Sequence, residues 1–304
     1  MVSRPTSPAP QPAGPPPHTR RLDAVPPLAP LYARAVLPRR GGGPLPRREL
    51  VVRARADDRR LRRYAQVCGF ARGGPLPLTY PHLVAFPLAV ALMTRRDFPH
   101  PLLGLVHVGN RVERLRPLRP DETLTYRVRT GEAVPHPRGT AFEMVAEASD
   151  GDGPVWRSAS TYLRRGPATG EREAAASARE EHRAGEGQHG GRTERWEVPA
   201  ATGRAYAAVS GDRNPIHLHP LTARAFGFPR AIAHGMWTKA RCLAALEGEL
   251  PDACRAEVAF RAPVLLPAPV VFTSAGDADG GLEFALRSAD GGREHLRGRV
   301  SPTS

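Results

Sequence analysis

Apolar and polar residues follow a pattern that occurs twice along the chain. Short helices are predicted at 58–67 and 201–209, and a longer, more apolar helix follows each of them, at 83–94 and 236–247. Pro87 lies inside the first long helix and predicts a kink or a short break, because proline removes a helical hydrogen bond. Several segments with strand-like alternation follow each long helix. This order predicts an α+β unit in which a sheet wraps a long helix.

Similarity between the two halves of the chain indicates a duplication. YAQVCGF at 64–70 matches YAAVSGD at 206–212, in the same place relative to the predicted helices. Near the ends, 141–163 resembles 281–300, and in both a short Asp/Gly turn separates two alternating strands. Matches in the same order, at a nearly constant offset, predict a duplicated domain.

These features divide the chain into four parts. A Pro-rich leader at 1–44 is expected to be largely disordered, because proline cannot hold a helix or a central strand. Residues 45–165 form a first folded unit and 196–304 a second, joined by a polar, flexible linker at 166–195. The two units are predicted to pack as an intrachain pseudo-dimer with their sheets joined edge to edge, since this covers exposed strand edges.

The charge of the chain raises the question of nucleic-acid binding. The 304 residues carry a formal net charge of +14, but Lys239 is the single lysine, and Ala, Pro and Gly are abundant beside Arg. That composition is typical of GC-rich coding sequence. The arginines neither gather on one predicted helix nor alternate with aromatic residues, as a nucleic-acid groove requires. The sequence therefore predicts no nucleic-acid partner, although arginine suits a phosphate or carboxylate ligand.

Cysteine usage and hydropathy predict a soluble cytosolic protein. Cys68, Cys242 and Cys254 are odd in number and lack C-x-x-C spacing, which argues against a disulfide framework and a zinc ribbon. No apolar run approaches the ~18 residues of a membrane span. The N-terminus leads into prolines rather than into an apolar signal core.

One short stretch carries the candidate chemistry. Residues 210–220 read SGDRNPIHLHP. Pro215 disfavours helical backbone at the residue before it, so Asp212 and His217 are expected on a tight loop where their side chains can converge. A positioned acid–base pair can move protons at a reacting carbon.

His234 and Gly235 open the second long helix. A helix N-terminus offers unpaired amides and a partial positive charge, which together stabilise negative charge on a carbonyl oxygen. Acid–base groups beside such amides suit chemistry at the carbons next to a thioester carbonyl.

A family resemblance rests on these motifs. GDRNPIH at 211–217, followed by AFGFPRAIAHGM at 225–236, resembles the signature of the MaoC-like or (R)-specific enoyl-CoA hydratase family, also called hydratase 2. The chain outside leader and linker, including LPLTYPHLVAFP at 76–87, is similar to actinobacterial 3-hydroxyacyl-thioester dehydratases. The resemblance implies a double hotdog, in which each long helix is wrapped by a curved antiparallel sheet. It also implies a hydro-lyase of fatty-acid metabolism that interconverts (R)-3-hydroxyacyl and trans-2-enoyl thioesters, with neither cofactor nor metal.

By position, the resemblance implies that Asp212 and His217 form the catalytic pair, which holds a water and moves protons between it and C2. It does not assign either proton to either residue. Asn214 is implied to orient the water or His217, the Gly235 amide to stabilise the enolate-like oxygen, and Phe260 to line the substrate site. The thioester is expected on CoA or on an acyl carrier protein, in the cytoplasm, and a homodimer of such chains is compatible with the family.

The first unit departs from this pattern. Phe70 stands where the second unit has Asp212, and His82, the nearest histidine, does not recreate the spacing. The chain is therefore expected to carry one site that faces an inactive half. Loss of polar groups from that half leaves room for an apolar acyl channel near Ala85 and Leu88.

Three alternatives stay open from the residues alone. Asp212 with His217, His219 and His234 offers the ligand types of a metal site. A non-catalytic subunit that binds acyl thioesters or acts as a scaffold would share the fold, and so would a thioesterase. The intact pair of Asp212 and His217 favours the enzyme.

Overall fold

The computed structural model of the chain describes residues 17–36, 42–166 and 191–303. The helices are α1 (Leu28–Ala35), α2 (Asp58–Cys68), α3 (His82–Met93), α4 (Thr202–Ser210), α5 (Pro220–Ala225) and α6 (Gly235–Ala245), with 3₁₀ turns at Pro215–His217 and Glu247–Glu249. The strands are β1 (His18–Leu22), β2 (Arg48–Arg55), β3 (Val106–Arg114), β4 (Thr123–His136), β5 (Gly139–Ser149), β6 (Pro154–Arg165), β7 (Arg192–Val198), β8 (Cys254–Phe260), β9 (Ala268–Gly276), β10 (Leu282–Ser288) and β11 (Glu294–Pro302).

The described strands form one eleven-stranded sheet in the order β1-β2-β4-β5-β6-β3-β8-β11-β10-β9-β7. The run β2-β4-β5-β6-β3 belongs to the first unit, and β7-β9-β10-β11-β8 repeats it in the second. β3 pairs with β8 in antiparallel register from Gly109–Ala259 to Arg114–Cys254, which joins the two half-sheets. The predicted α+β pseudo-dimer with edge-to-edge sheets is confirmed.

The helices of the two units correspond in the same way. α2 packs against α4, and the long helices α3 and α6 begin and end within two residues of the predicted bounds. α3 runs without interruption through Pro87, so the break expected there is absent from this helix. Ten of its twelve residues are buried, and this packing holds the helix across the missing hydrogen bond.

The expectation of a largely disordered leader over 1–44 is wrong for residues 17–36, while 1–16 and 37–41 lie outside the described residues. β1 pairs in parallel with β2 and extends the sheet by one strand. α1 buries Leu31 and Ala35 in the core. Its prolines stand at the N-cap and in the first turn, where a backbone N–H has no helical acceptor in any case.

The expected linker at 166–195 also ends too late. β7 begins at Arg192 and pairs with β9 along the far edge of the sheet. The charged first residues of β7 resemble a linker in composition because this edge strand exposes most of its side chains to solvent. Residues 167–190 lie outside the described residues.

Lys239 ties the two units together at the β3–β8 seam. Its side chain is fully buried on α6, and Nζ donates to Asn110 Oδ1 at 2.6 Å, to the Asn110 carbonyl at 3.2 Å and to the Ala256 carbonyl at 2.9 Å. Burial lowers the pKa of Lys239 well below its usual range. The single lysine is thus an interior bridge rather than a surface charge.

Cys68, Cys242 and Cys254 are buried and free. In the described part of the chain, no helix has the length and hydropathy needed to cross a membrane.

Candidate active site

A cavity of about 370 Å³ lies between the two units. Its second-unit wall contains Asp212, His217, His234, Gly235 and Phe260. Its first-unit wall comes from α3, β3 and β6, with Tyr32 of α1 beside them. The site residues predicted from the sequence therefore converge on one cavity that both units build.

The loop that carries Asp212 and His217 begins where α4 ends. Gly211 closes α4 in left-handed conformation, and Asn214 caps the 3₁₀ turn Pro215–His217 by accepting from the Ile216 amide. Arg60 of the first unit donates to the carbonyls of Val209 and Ser210, at 2.6 and 2.9 Å, and so holds the last turn of α4. A cation at this position stabilises a helix C-terminus.

Gly203 sets the approach of the 3₁₀ turn to α4. A Cβ at this position would lie 2.1 Å from the His217 carbonyl oxygen, a distance that no side chain can accept. Only glycine therefore lets α4 and the His217 backbone come this close.

The Asp212 carboxylate uses one of its oxygens for binding within the protein. Oδ1 accepts from the Tyr32 hydroxyl at 2.6 Å and from the Asn214 amide at 3.2 Å. Oδ2 lies 3.9 Å from His234 Nε2 and accepts no hydrogen bond from a described residue. The side chain is 24% exposed, and it lines the cavity. Oδ2 is thus the oxygen available to a bound water.

His217 is buried and held in one tautomer. Its Nδ1 lies 2.8 Å from the Ile232 carbonyl oxygen, and because a carbonyl can only accept, Nδ1 carries the proton. In the neutral ring, Nε2 then holds a lone pair. The hydrogen bond to the Ile232 carbonyl thus leaves Nε2 as the ring nitrogen that can accept a proton.

His234 fixes the geometry of the pair. Its ring stacks on His217 with 3.6 Å between centroids, and Nε2 donates to the Asp212 carbonyl at 2.9 Å. This bond ties the loop that carries Asp212 to the start of α6. Its Nδ1 is buried and has no hydrogen-bond partner among the described residues.

Burial and mutual interaction set the protonation states. For Asp212, burial alone would raise the pKa, but His234, His217 and the Tyr32 hydrogen bond outweigh it, and the pKa is lowered. Burial lowers the pKa of His217, against the opposing effect of Asp212. Burial, aided by His217, lowers the pKa of His234 to about 3. At neutral pH the site therefore holds an ionised carboxylate beside two neutral imidazoles.

The other predicted residues also lie at the cavity. Gly235 is the first residue of α6, so its amide has no acceptor within the helix. The Phe260 ring packs over it, since a Cβ on Gly235 would lie 3.2 Å from the ring. Asn214 lines the cavity as well, but its Oδ1 accepts from the Ile216 amide at 3.4 Å rather than from His217.

Comparison with known proteins agrees with this geometry. Residues 185–277 match the family described as MaoC like domain. The 3-hydroxyacyl-thioester dehydratase X of Mycobacterium tuberculosis is 36% identical over 246 residues, which cover 78% of this chain and 82% of that protein. The chain belongs to the MaoC-like family. The hydro-lyase class implied by the sequence motif is confirmed with it.

Solved structures share the architecture. The crystal structure of HtdX from Mycobacterium tuberculosis is similar with a TM-score of 0.72 and 34% identity, over 84% of this chain and all of that one. A MaoC-like dehydratase from Phytophthora capsici has a TM-score of 0.67 over 84% of this chain and 95% of its own, and its 21% identity supports the fold alone. The double hotdog is confirmed.

The MaoC-like site also brings together groups of the kind that bind metals. Donor atoms of Asp212, His217 and His234 lie within 4.8 Å of one another. His219, the fourth residue of the metal alternative, is not in this group. Its side chain is exposed to solvent and caps α5, where Nδ1 accepts from the Leu221 amide at 3.2 Å. In both His217 and His234, one ring nitrogen is hydrogen-bonded to a backbone carbonyl. This leaves one nitrogen per ring for a proton or a ligand.

The first-unit wall of this MaoC-like cavity differs from the expected apolar channel. His82, His107 and Tyr162 line it together with Leu83, Phe86 and Met93. Ala85 lines a separate small cavity, and Leu88 lies in the core, so the two positions predicted to bound the channel do not. No sequence signal marked the polar trio, because α3, β3 and β6 bring it together only in the folded chain.

Three buried histidines of the cavity, His82, His107 and His234, predict that the folded protein is sensitive to acid. Burial lowers the pKa of His82 to about 4 and those of His107 and His234 to about 3. The unfolded chain binds protons on these rings below about pH 6.5, while the folded chain does not until much lower pH. Unfolding is then accompanied by proton uptake, so the free energy of unfolding should fall as pH drops from 6.5 toward 4.

Urea denaturation at several pH values in this window measures the effect. Each such histidine contributes a slope of up to about 1.4 kcal/mol per pH unit. His107→Gln should reduce the slope by one such contribution. A free energy of unfolding that stays constant between pH 6.5 and 4.5 would contradict the prediction.

Proposed function

We propose that this MaoC-like hydro-lyase interconverts (R)-3-hydroxyacyl and trans-2-enoyl thioesters, with Asp212 and His217 as the acid–base pair. One observation carries the assignment. Asp212 Oδ2 and His217 Nε2 belong to two side chains of the same cavity and have no hydrogen bond to a described residue, while Oδ1 and Nδ1 are occupied. A water between them would donate to both.

The chemistry balances without a further reactant. In hydration, the water oxygen bonds to C3 while the pair takes one of its protons. The electrons of the C2–C3 double bond move toward C2 and the thioester oxygen. Asp212 and His217 then return a proton to C2. Dehydration is the reverse. The low pKa of Asp212 and the neutral state of His217 suit the proton-accepting step, which is efficient when the base is unprotonated at working pH.

The remaining residues have supporting roles in the proposal. The Gly235 amide, at the positive end of α6, donates to the thioester oxygen as negative charge develops on it. Phe260 packs against the acyl thioester. Asn214 acts on the water indirectly, since its amide holds Asp212 Oδ1 and its side chain caps the 3₁₀ turn that carries His217.

The thioester is proposed to be on CoA or on an acyl carrier protein. Arg138, Arg165 and Arg261 line the cavity, and arginine suits the phosphate groups that both carriers bring. A cytoplasmic location belongs to the same proposal, because free cysteines stay reduced there. Pairing of two chains would cover the sheet edges at β1 and β7.

Hydration of trans-2-enoyl-CoA tests the function. We expect loss of the absorbance of the conjugated thioester, and chiral analysis should find the (R)-3-hydroxyacyl product. Starting from (R)-3-hydroxyacyl-CoA, the absorbance should rise until the same equilibrium is reached. If the protein binds these thioesters, as seen by protection against thermal unfolding, but turns over none of them, it is the non-catalytic subunit instead. Release of free CoA thiol without hydration would indicate a thioesterase.

A further inference from the structure

The N-terminal helix α1 directly contacts the loop that carries Asp212 and His217. Leu28, the first residue of α1, packs on Gly211, the residue before Asp212. A Cβ on Gly211 would lie 2.5 Å from Leu28 Cδ1, and the backbone there has a φ of +79°. The left-handed backbone favours glycine at this position, and the short distance shows that Leu28 packs directly on it. The close fit places α1 against the end of α4.

One turn after Leu28, the Tyr32 side chain of α1 lies in the site. Leu31 faces the core, and Tyr32 reaches the cavity, where its hydroxyl donates to Asp212 Oδ1 at 2.6 Å. The carboxylate is ionised, so this is a charge-assisted hydrogen bond, which is short and stronger than a neutral one. Tyr32 is thus the side chain that satisfies Oδ1, together with the Asn214 amide at 3.2 Å.

This contact determines which carboxylate oxygen faces the reaction. Free rotation of the carboxylate would exchange Oδ1 and Oδ2. With Oδ1 held by two donors, Oδ2 is the carboxylate oxygen that remains to accept from a water in the cavity. The bond also stabilises the charged form of Asp212, which keeps it competent as a base at lower pH.

We propose that Tyr32 is a positioning residue of the active site: its hydroxyl orients the Asp212 carboxylate, so that helix α1, which precedes the first hotdog, completes the catalytic centre of the second. The inference rests on the proposed role of Asp212. Titratable side chains that surround Asp212 come from several elements: Tyr32 on α1, His82 on α3, His107 on β3, Tyr162 on β6, Tyr206 on α4, His217 in the 3₁₀ turn and His234 before α6.

Tyr32→Phe tests the proposal because it removes the hydroxyl and keeps the ring. We expect kcat for enoyl-CoA hydration to fall roughly 10- to 100-fold, the scale of a hydrogen bond to a charged group, with KM nearly unchanged. The acid limb of the kcat/KM profile should move to higher pH by about one unit, because the charged carboxylate loses a donor.

Two variants separate positioning from packing. Tyr126→Phe removes a hydroxyl from a buried tyrosine of β4 that does not line the cavity, and it should leave kcat and the acid limb as in the parent. Leu28→Ala loosens α1 on Gly211 but leaves the Tyr32 ring and hydroxyl. It should lower the melting temperature without moving the acid limb.

The outcomes distinguish this inference from the assignment on which it rests. If Asp212→Asn is inactive while Tyr32→Phe has the kcat and acid limb of the parent, the positioning role is wrong and the acid–base pair stands. If Asp212→Asn itself retains activity, the proposed pair is wrong. If Leu28→Ala and Tyr32→Phe shift kcat and the acid limb alike, α1 acts through packing, and the role of the hydroxyl is overturned.

Discussion

Replacing Asp212 with Asn, or His217 with Ala, is expected to lower kcat for enoyl-thioester hydration by ~10²–10⁴-fold, the contribution of one positioned acid–base group. Asn keeps the shape of the carboxylate and an oxygen for the Tyr32 hydroxyl, but it cannot accept a proton at neutral pH. Ala removes Nε2 while the 3₁₀ turn keeps its cap at Asn214. Both variants should fold, although His217→Ala should melt at a lower temperature because the Ile232 carbonyl loses its hydrogen bond.

Steady-state hydration kinetics, with thermal melts in parallel, measure this result. His219→Ala is the matched control, since His219 belongs to the same loop but faces outward as the cap of α5. It should keep kcat within a few-fold of the parent. Turnover near that of the parent in either Asp212→Asn or His217→Ala, on every enoyl thioester that the parent accepts, would refute the acid–base assignment.

The second large effect concerns acyl chain length. His82 and Met93 both line the cavity from α3, and eleven residues of helix at 1.5 Å each put them ~16 Å apart. Leu83, Phe86 and Leu105 add apolar wall along this length. Each buried CH₂ is worth ~0.8 kcal/mol, so four more carbons can raise kcat/KM by up to roughly 200-fold. We expect kcat/KM to rise from C4 to at least C8.

A pair of neighbouring leucines tests this directly. Leu105 lines the cavity, whereas Leu103 packs on the core beside it and does not. Leu105→Trp should flatten the rise with chain length and spare C4, and Leu103→Trp should leave the profile unchanged. Kinetics over a C4–C16 series of enoyl-CoA give the profile. A best substrate at C4, or equal losses at C4 and C8 in Leu105→Trp, would show that the acyl tail lies elsewhere.

Local sequence signals were sufficient to predict the duplication and the loop that carries Asp212 and His217. The match of 64–70 with 206–212 located both short helices, and it placed Phe70 opposite Asp212. Phe70 is indeed buried and stacks on Tyr64, so the first unit lacks the acid–base pair. Such predictions succeed because glycine, proline and capping residues act within a few residues of their own position.

The sequence failed where a contact depends on distant elements. Tyr32 lies in a stretch with prolines at 26, 27 and 30, which hid the helical spacing of Leu28, Leu31, Tyr32 and Ala35. That spacing is the signal that could have found it. The channel positions Ala85 and Leu88 were wrong for a different reason: α3 is apolar on all sides, so its periodicity does not say which face meets the cavity.

The β3–β8 seam has a consequence for how the site responds to dilution. When two separate chains build a cavity between them, its two walls exist only above the dissociation constant of the pair. Here both walls belong to one polypeptide, and the second is present at a fixed effective concentration however few molecules are in solution. The first unit can therefore change its lining residues without a symmetric change in the second, and the two can specialise separately.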